Sequence, residues 1–532
     1  MKKIISLLLA FVCMFGVVGC SDGGANAQYA KRPKHVKVVY FAGGYGEEWM
    51  PAVAKYYMDN VDTETYVEIK HTVLPTEEGQ KVITGLSEGD VVMVSYAMFR
   101  SSGYLHDLTD LYTTVKIQGE DKTLGEKMQA TNREYYNENG KYYQVPYGSN
   151  SGYSFAYNKT TLDDAFGEGN YILPRTTDEM FEFGNALKTK NTYLTSLALY
   201  DSTDYLQYGI FVWLAQMLGY DVRENLLDGK WQNAQGEFIF QEDASFLADE
   251  KIRNAVVSTW EVIKKLCTKA NGYAHADSNS MRFMDAQASL CGLGFGDNRR
   301  KVAMMFNGPW LELEMEYLNV EAEAVLGERQ ELRMMKMPVM SDIITRLDTV
   351  KDDQTLRAVI SYVDGEGELP QGVSQSDVDI VREARNMMGM NRVGGAVVPS
   401  TAKNVQGAKD FLRYLASDKA QEVSLEATNG LVILPYGKYT TENVQITPFT
   451  QDILNMVEDV KIVDWANLHK AFYATAGLNL LYSGINGQWV ANMFANFYQD
   501  TPEQLYQKMY SYYSAPNKWQ SMVQAYRDAI KT

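Results

Sequence analysis

Short apolar runs alternate with amphipathic stretches along most of the chain, and the first of them predict a strand, a helix and a second strand. Residues Val36–Phe41 form an apolar run, and a glycine-rich turn at Ala42–Gly46 separates it from a helical pattern at Glu47–Asn60. Residues Thr65–Val73 then alternate between apolar and polar positions, as a half-buried strand does. This order predicts parallel strands that are joined by a right-handed crossover.

The glycine-rich turn is the first candidate for ligand contact. Ligands of open α/β sheets bind beyond the carboxyl ends of the strands, which places Tyr45, Glu48 and Trp49 near the expected cleft. The turn lacks the GxGxxG spacing, and Glu47 and Glu48 would repel phosphate at the start of the helix. The sequence therefore disfavours a nucleotide site.

The segment Lys301–Trp310, KVAMMFNGPW, combines a buried strand at Val302–Phe306 with a tight Asn-Gly-Pro turn. A helical pattern at Leu311–Tyr317 follows the turn. Such a turn places Trp310 at the mouth of a cleft, where Asn307 could bond to a polar ligand. The alternative is a core strand with a buried structural tryptophan, since large aromatic side chains are usually buried.

Other patterns complete the outline of an α/β chain. Residues Gly89–Tyr96 form an apolar strand, Tyr205–Leu218 is apolar on more than one face and predicts a buried helix, and Leu227–Phe240 predicts a hairpin. Residues 341–388 are long and charged, and they indicate an insertion. The strand Gly394–Pro399 opens with two glycines, which indicates that its backbone closely approaches a ligand or another segment.

Composition narrows the function. A chain of 532 residues with 45% hydrophobic residues is expected to form two or more lobes. A net charge of −17 disfavours nucleic acid as a partner, because nucleic-acid binding needs clustered Lys and Arg. The 36 Tyr and 8 Trp suit a protein that binds amphipathic ligands through ring faces and hydroxyl groups.

The N-terminus has the pattern of a lipoprotein signal. Lys2 and Lys3 precede a mostly apolar stretch at Ile4–Val18, and Val17–Cys20 resembles a lipobox. Cleavage would remove residues 1–19 as a signal peptide and leave Cys20 as a lipidated N-terminus, with residues 20–34 as a flexible tether. A plain secretory peptide with an incidental cysteine is the alternative.

Two cysteines remain outside this signal region, Cys267 and Cys291. In an exported protein they could form a disulfide, and two buried free thiols are an equal alternative. The five histidines are dispersed, with no HExxH pair, and no GxSxG motif is present. The sequence therefore predicts no catalytic residue, no metal site and no cofactor.

Several segments together resemble the extracellular solute-binding proteins of carbohydrate ABC transporters, the family of maltose-binding-protein-like receptors. They are KVAMMFNGPW at 301–310, GYLHDLTDL at 103–111, the stretch from GKYYQVP to Asn158, and the stretch from Gly394 to Gln421 that ends in AKDFLRYLASDKAQ. The resemblance implies an α/β fold of the two-lobe, periplasmic-binding-protein-like type II, in which each lobe is a mixed β-sheet flanked by helices. The ligand cleft of this fold lies between the lobes.

The resemblance also implies boundaries and ligand contacts. Lobe 1 would contain residues 35–148 and 335–440, and lobe 2 would contain residues 149–334 and 441–532, with hinges near Val145–Tyr153, Met335–Val339 and Leu434–Thr447. In the family, the Trp of a similar NGPW turn stacks on a sugar ring. The candidate ligand contacts are Tyr45, Glu48, Trp49, Ser95, Tyr96, Asn150, Tyr205, Asn307, Trp310, Gly395 and Trp489.

The function that the resemblance implies is capture of a sugar or oligosaccharide by lobe closure and its delivery to the membrane permease of an ABC importer. The protein would be a monomer, anchored outside the cytoplasm by lipid on Cys20. Two alternatives stay open. A surface-anchored carbohydrate-active enzyme would need two carboxylates about 5–10 Å apart in the cleft, and the same fold could bind a peptide or another polar solute.

Overall fold

The computed structural model forms two compact units. Unit 1 takes in Met1–Gly148, Val393–Thr428 and Ile433–Asn443, and unit 2 takes in Ser149–Arg392, Asn429–Val432 and Val444–Thr532. The structure describes residues 28–529 apart from 95–101, 129–132, 134–135, 148–151, 191–193, 200–203, 279, 295–300, 391–394, 429, 432–443, 445, 458–459, 465–471, 473–477, 479 and 481–499.

The described strands, in chain order, are β1 Lys34–Tyr40, β2 Thr65–His71, β3 Val91–Met93, β4 Gln144–Pro146, β5 Ser154–Asn158, β6 Leu194–Ala198, β7 Lys230–Gln232, β8 Phe238–Phe240, β9 Lys301–Asn307, β10 Leu332–Met335, β11 Met387–Met390, β12 Gly395–Val397 and β13 Lys461–Asp464.

The described α-helices are α1 Trp49–Asn60, α2 Pro75–Ile83, α3 Thr109–Thr113, α4 Leu124–Lys127, α5 Lys159–Phe166, α6 Thr177–Lys190, α7 Asp204–Leu218, α8 Tyr220–Leu227, α9 Glu250–Cys267, α10 Phe283–Leu290, α11 Leu311–Glu314, α12 Glu316–Leu326, α13 Asp353–Val363, α14 Gln375–Arg385, α15 Val405–Leu415, α16 Asp418–Ala427, α17 Pro448–Val457, α18 Pro502–Ser514 and α19 Lys518–Ala529. Short 3₁₀ helices occupy Gly43–Tyr45, Ser102–Tyr104, Ala244–Ala248, Lys269–Asn271 and Ser341–Arg346.

Unit 1 contains a five-stranded sheet in the order β2-β1-β3-β12-β4. Strand β1 is parallel to β2 and β3, whereas β12 is antiparallel to both β3 and β4. The strand–helix–strand start that the apolar pattern predicts is thus confirmed. Because β12 runs against its neighbours, its first residue, Gly395, lies at the same edge as the last residues of β1, β3 and β4.

Helix α1 is amphipathic, and its apolar stripe explains how it covers the sheet of unit 1. Trp49, Val53 and Tyr57 recur at intervals of four residues and are all buried. The ring of Tyr57 meets the ring of Phe411 on α15 edge to face, with centroids 5.4 Å apart. The C-terminal motif that carries the family resemblance therefore packs against the first helix of the fold.

Unit 2 contains a four-stranded sheet in the order β10-β5-β9-β6. Strand β5 is antiparallel to β9 and β10, and β6 is parallel to β9. The predicted strand Val302–Phe306 lies inside β9, where all five side chains are at most 2% exposed. The carboxyl ends of β6, β9 and β10 and the start of β5 consequently share one edge of this sheet.

Helix α7 is the centre of the unit 2 core, as its apolar sequence predicts. Every residue from Ile210 to Leu218 is buried. The buried Trp213 packs edge to face on Phe306 of β9, and its indole N–H donates to the carbonyl of Pro338 at 3.1 Å. The predicted hairpin is also confirmed, since β7 and β8 pair antiparallel.

Residues 335–392, predicted to belong to lobe 1, lie in unit 2 instead. Strand β10 pairs with β5 of the same unit. Helices α13 and α14 of the predicted insertion place fully buried side chains, among them Val359 and Val381, in the same core as α7. Gln216 of α7 joins them, because its amide donates to the Ala384 carbonyl at 3.0 Å. Each of these two helices has only a narrow apolar stripe beside a charged outer face. For this reason the sequence of the segment resembles a solvated insertion.

Cys267 and Cys291 are free and buried, so the thiol alternative holds and the disulfide does not form. Burial raises the pKa of the Cys291 thiol to about 12, and it raises the pKa of Cys267 further. Across the part of the chain that the structure describes, no helix combines the length and the apolar character needed to span a bilayer.

Candidate functional site

The Asn-Gly-Pro turn after β9 is built by its own asparagine. Asn307 is fully buried, and its Oδ1 accepts a hydrogen bond from the backbone N–H of Gly308 at 2.7 Å. Its Nδ2 lies 3.9 Å from the sulfur of Met305, which is a weak contact. The side chain that the sequence predicts as a ligand contact therefore fixes the turn in this structure.

Trp310 lies across this turn and is partly exposed. A methyl group added at Gly308 would lie only 2.3 Å from the indole ring, so the ring rests directly on the glycine. The ring of Tyr153 meets the indole edge to face, with centroids 4.9 Å apart and an interplanar angle of 81°. Both neighbours limit the positions that the indole can take and leave part of it open to solvent.

Tyr153 reaches Trp310 because β5 and β9 are antiparallel. The residue after it, Ser154, pairs with Asn307 at the end of β9. The backbone N–H of Tyr153 donates to the carbonyl of Gly389, and a side chain at Gly152 would collide with that carbonyl at 2.2 Å. Tyr153 is not among the predicted contacts, since nothing local in the sequence shows which residue a distant strand places beside the turn.

Two half-buried carboxylates follow Trp310 on the one-turn helix α11. Glu312 accepts a hydrogen bond from the hydroxyl of Thr447 at 2.5 Å, and Glu314 accepts one from the amide of Gln287 at 3.2 Å. Burial raises the pKa of both carboxyl groups. No sequence signal singled them out, because glutamates in a short helix are usually solvated.

The sheet edge of unit 1 collects the other predicted contacts that the structure describes. Tyr45 ends the 3₁₀ turn after β1 and is half-buried, while Glu48 is exposed just before α1. Beside them, the hydroxyl of Tyr40 donates to the Glu47 carbonyl at 2.6 Å, and the Glu47 carboxylate lies 3.3 Å from Nδ1 of His71. Tyr45 and Glu48 thus present polar groups at the edge where the parallel strands end.

Trp49 has no exposed surface in this structure. It begins the buried stripe of α1, and its ring packs on Tyr40 with centroids 6.2 Å apart. The position close to the glycine-rich turn suggested a ligand contact, whereas the helical stripe turns the ring into the core.

Gly395 is explained by strand packing. A side chain there would lie 2.7 Å from the carbonyl of Val145 on β4, and the backbone N–H of Gly395 donates to Oε1 of Gln144 at 2.7 Å. The close approach that the two glycines indicate is therefore an approach to another strand, one of the two alternatives drawn from the sequence.

Several predicted contacts fall outside the described residues, namely Ser95, Tyr96, Asn150 and Trp489, together with the lipidation site Cys20. Tyr205 lies in the first turn of α7, and its side chain is outside the description. Among the residues that are described, no group of three or more His, Cys, Asp and Glu side chains is arranged to hold a metal ion.

Comparison with known proteins identifies a family whose sequence profile matches this chain. The sequence profile of the bacterial extracellular solute-binding protein family matches residues 52–445 of this chain. A search of curated proteins returns no match.

Solved structures with the same fold include three binding proteins. The GacH receptor of Streptomyces glaucescens, solved unliganded and with acarbose, is 16% identical with a TM-score of 0.55, over 92% of this chain and 98% of that chain. The RafE binding protein, solved with raffinose, is 13% identical with a TM-score of 0.53, over 91% and 99%. A chitin oligosaccharide binding protein is 15% identical with a TM-score of 0.53, over 93% and 99%.

At these identities the structural likeness concerns the fold alone, and it confirms the predicted two-lobe, periplasmic-binding-protein-like α/β class. The profile match extends over most of the chain, from within α1 to the residues just before α17. The chain therefore belongs to the bacterial extracellular solute-binding protein family.

Proposed function

We propose that this protein is the substrate-binding component of an ABC importer and that it captures a sugar or oligosaccharide. The observation that carries the proposal is the partly exposed Trp310, which is held between Gly308 and the ring of Tyr153 where the strands of the unit 2 sheet end. The proposed role of Trp310 is to stack on the apolar face of a sugar ring.

The chemistry of the site supports a carbohydrate. A sugar ring offers an apolar face and a rim of hydroxyl groups, and the held indole of Trp310 matches the apolar face. Acarbose, raffinose and chitin oligosaccharides, named for the three structural neighbours, share this chemistry. Tyr45 and Glu48 are the proposed partners for sugar hydroxyl groups on unit 1.

Delivery and anchoring belong to the same proposal. The family is extracellular, which agrees with a place outside the cytoplasm. Attachment through lipid on Cys20, transfer to a permease and capture by closure of the two lobes stay predictions from the sequence and the family resemblance.

The first experiment is a thermal-shift screen of the protein from Asp22 onward against mono- and oligosaccharides, with glycan products assayed in the same wells. A ligand that binds only the native state raises the melting temperature. Recovery of that sugar intact supports a transport receptor, whereas its consumption would support an enzyme. A screen without any sugar hit, followed by a hit among peptides or other polar solutes, would overturn the choice of substrate class.

Calorimetry on the ligand found by the screen then tests the proposed contact. We expect Trp310→Ala to weaken binding about five- to thirtyfold, since the loss of a stacked ring costs on the order of 1–2 kcal/mol. Tyr317→Ala is the matched control, because Tyr317 is an aromatic residue on the next helix that is 50% exposed. Equal affinity of the wild type and Trp310→Ala would refute the assignment of Trp310.

A further inference from the structure

Three segments that pass between the units are attached to unit 2 close to Trp310. The chain changes unit after Gly148, after Arg392 and after Asn443, apart from the short piece Asn429–Val432. The first of these segments brings Tyr153, whose ring rests against Trp310.

The second segment is attached to the first. Strand β11 ends at Met390, two residues before the change of unit, and its Gly389 carbonyl accepts the hydrogen bond from the N–H of Tyr153. Only a glycine at 152 allows this approach, because a Cβ atom at that position would lie 2.2 Å from the Gly389 carbonyl oxygen. The first two segments thus enter unit 2 as one pair beside the indole.

The third segment is attached to the Trp310 turn through a side-chain hydrogen bond. Thr447, three residues after Val444, donates its hydroxyl hydrogen to Oε2 of Glu312 at 2.5 Å. The same hydroxyl oxygen accepts the N–H of Thr450 at 3.1 Å and so caps helix α17. Glu312 lies two residues after Trp310, so this bond joins the Trp310 turn to the start of α17.

Helix α17 is itself firmly held in unit 2. Phe449 is fully buried in the same apolar cluster as Leu311, the residue between Trp310 and Glu312. Arg333 of β10 binds both carboxylate oxygens of Asp452 at 2.6 Å. A bond from Glu312 to α17 therefore connects the turn to an element that is fixed by packing and by a bidentate ion pair.

We propose that Glu312 is a positioning residue, which holds the Trp310 turn in place for the ligand by its bond to Thr447 at the entry of the third segment. The inference rests on the proposed function, because Trp310 is the ligand contact in that proposal. Glu312 acts through Thr447 and the turn, and it need not touch the sugar itself.

The surroundings of Glu312 show that hydrogen bonding, and not charge pairing, holds it. Burial raises the pKa of its carboxyl group, and the carboxylates of Glu316 and Asp452 raise it as well, whereas the Thr447 bond and the Arg329 guanidinium lower it. Arg329 forms its ion pair with Glu316 and not with Glu312. A glutamine at 312 would keep an acceptor for Thr447 without a buried charge.

Hydrogen–deuterium exchange on the ligand-free protein tests the connection without any assumption about the ligand. We expect Glu312→Ala and Thr447→Val to speed exchange in two peptides, one spanning 303–315 and the other spanning 444–455. Thr447→Ser, which keeps the hydroxyl, and Glu316→Ala, which breaks a nearby exposed ion pair, should leave both peptides unchanged. Faster exchange only in the peptide that carries the substitution would overturn the proposal.

Ligand affinity, measured by calorimetry with the sugar from the screen, tests the positioning role. Glu312→Ala and Thr447→Val should each weaken binding about three- to tenfold, the net contribution of one ordinary hydrogen bond, and the double variant should bind no more weakly than either. Glu312→Gln should recover at least half of the lost affinity. If both single variants bound with wild-type affinity and Trp310→Ala lost binding, the positioning role of Glu312 would be overturned and the proposed function would stand. If Trp310→Ala also bound normally, the proposed function would fail, and the exchange experiment alone would decide the connection.

Discussion

Gly308→Ala is the substitution that the geometry of the Trp310 turn makes most informative. An added methyl group would lie 2.3 Å from Cη2, 2.5 Å from Cζ2 and 2.6 Å from Cζ3 of the Trp310 indole. Side-chain carbons do not approach this closely, so either the ring or the turn must move. The ring is partly exposed and can swing toward solvent, whereas Asn307 holds the turn from inside.

Two costs follow from this displacement. The edge-to-face contact with Tyr153 is lost, which costs about 0.5–1.5 kcal/mol. Exposure of more of the indole adds to this at roughly 25 cal/mol per Å². We expect the variant to lose about 1–3 kcal/mol of stability, and to bind its ligand about as weakly as Trp310→Ala.

Scanning calorimetry and binding calorimetry measure the two effects, with Gly367→Ala as the matched control. The nearest atom to a methyl group at Gly367 is Cβ of Ser361 at 3.6 Å, an ordinary contact. The free energy of unfolding of that control should lie within about 0.5 kcal/mol of the wild-type value, and the control should bind the ligand normally. If Gly308→Ala melted and bound as the wild type does, the indole would not rest on Gly308.

Three further predictions concern charge and thiol chemistry. Although burial alone would raise it, the Arg385 guanidinium holds the pKa of Asp364 below its usual range. Asp364→Asn should therefore lower the melting temperature at neutral pH, and the difference from the wild type should shrink as the pH falls below about 4. Melting curves from pH 3 to 7 measure this difference, and a difference that stayed constant over this range would contradict the prediction. The pKa of Glu312 is raised, so the stability that its protonated form gives is lost as the pH rises through that pKa. In the same pH series, Glu312→Gln should have a higher melting temperature than the wild type at pH 7, and the two melting temperatures should become equal in acid. A lower melting temperature of the variant at pH 7 would contradict this. In the protein from Asp22 onward, a thiol reagent should label neither Cys267 nor Cys291 until urea unfolds the protein, and labelling in the native state would show that the thiols are accessible.

The apolar pattern identified the elements whose periodicity is local. Strand β9 and helix α7 are apolar along nearly their whole length, and Val302–Phe306 of β9 and Ile210–Leu218 of α7 are buried as the pattern predicts. The hairpin of β7 and β8 follows from turn residues beside short strands. The pattern did not predict helices α13 and α14, since their apolar stripes are narrow and the residues around them are rich in charge.

The sequence by itself determined the family, the alternation of strands and helices, and the strand–turn unit that presents Trp310, because each of these depends on residues close together in the chain. Only the tertiary structure decided which strand lies beside that turn and hence brought Tyr153 to the indole. The tertiary structure also buries Trp49 in the core, places Gly395 where two strands approach closely, and brings Glu312 within hydrogen-bond distance of Thr447. These outcomes depend on strand pairing and helix orientation across large sequence separations, which local periodicity does not encode.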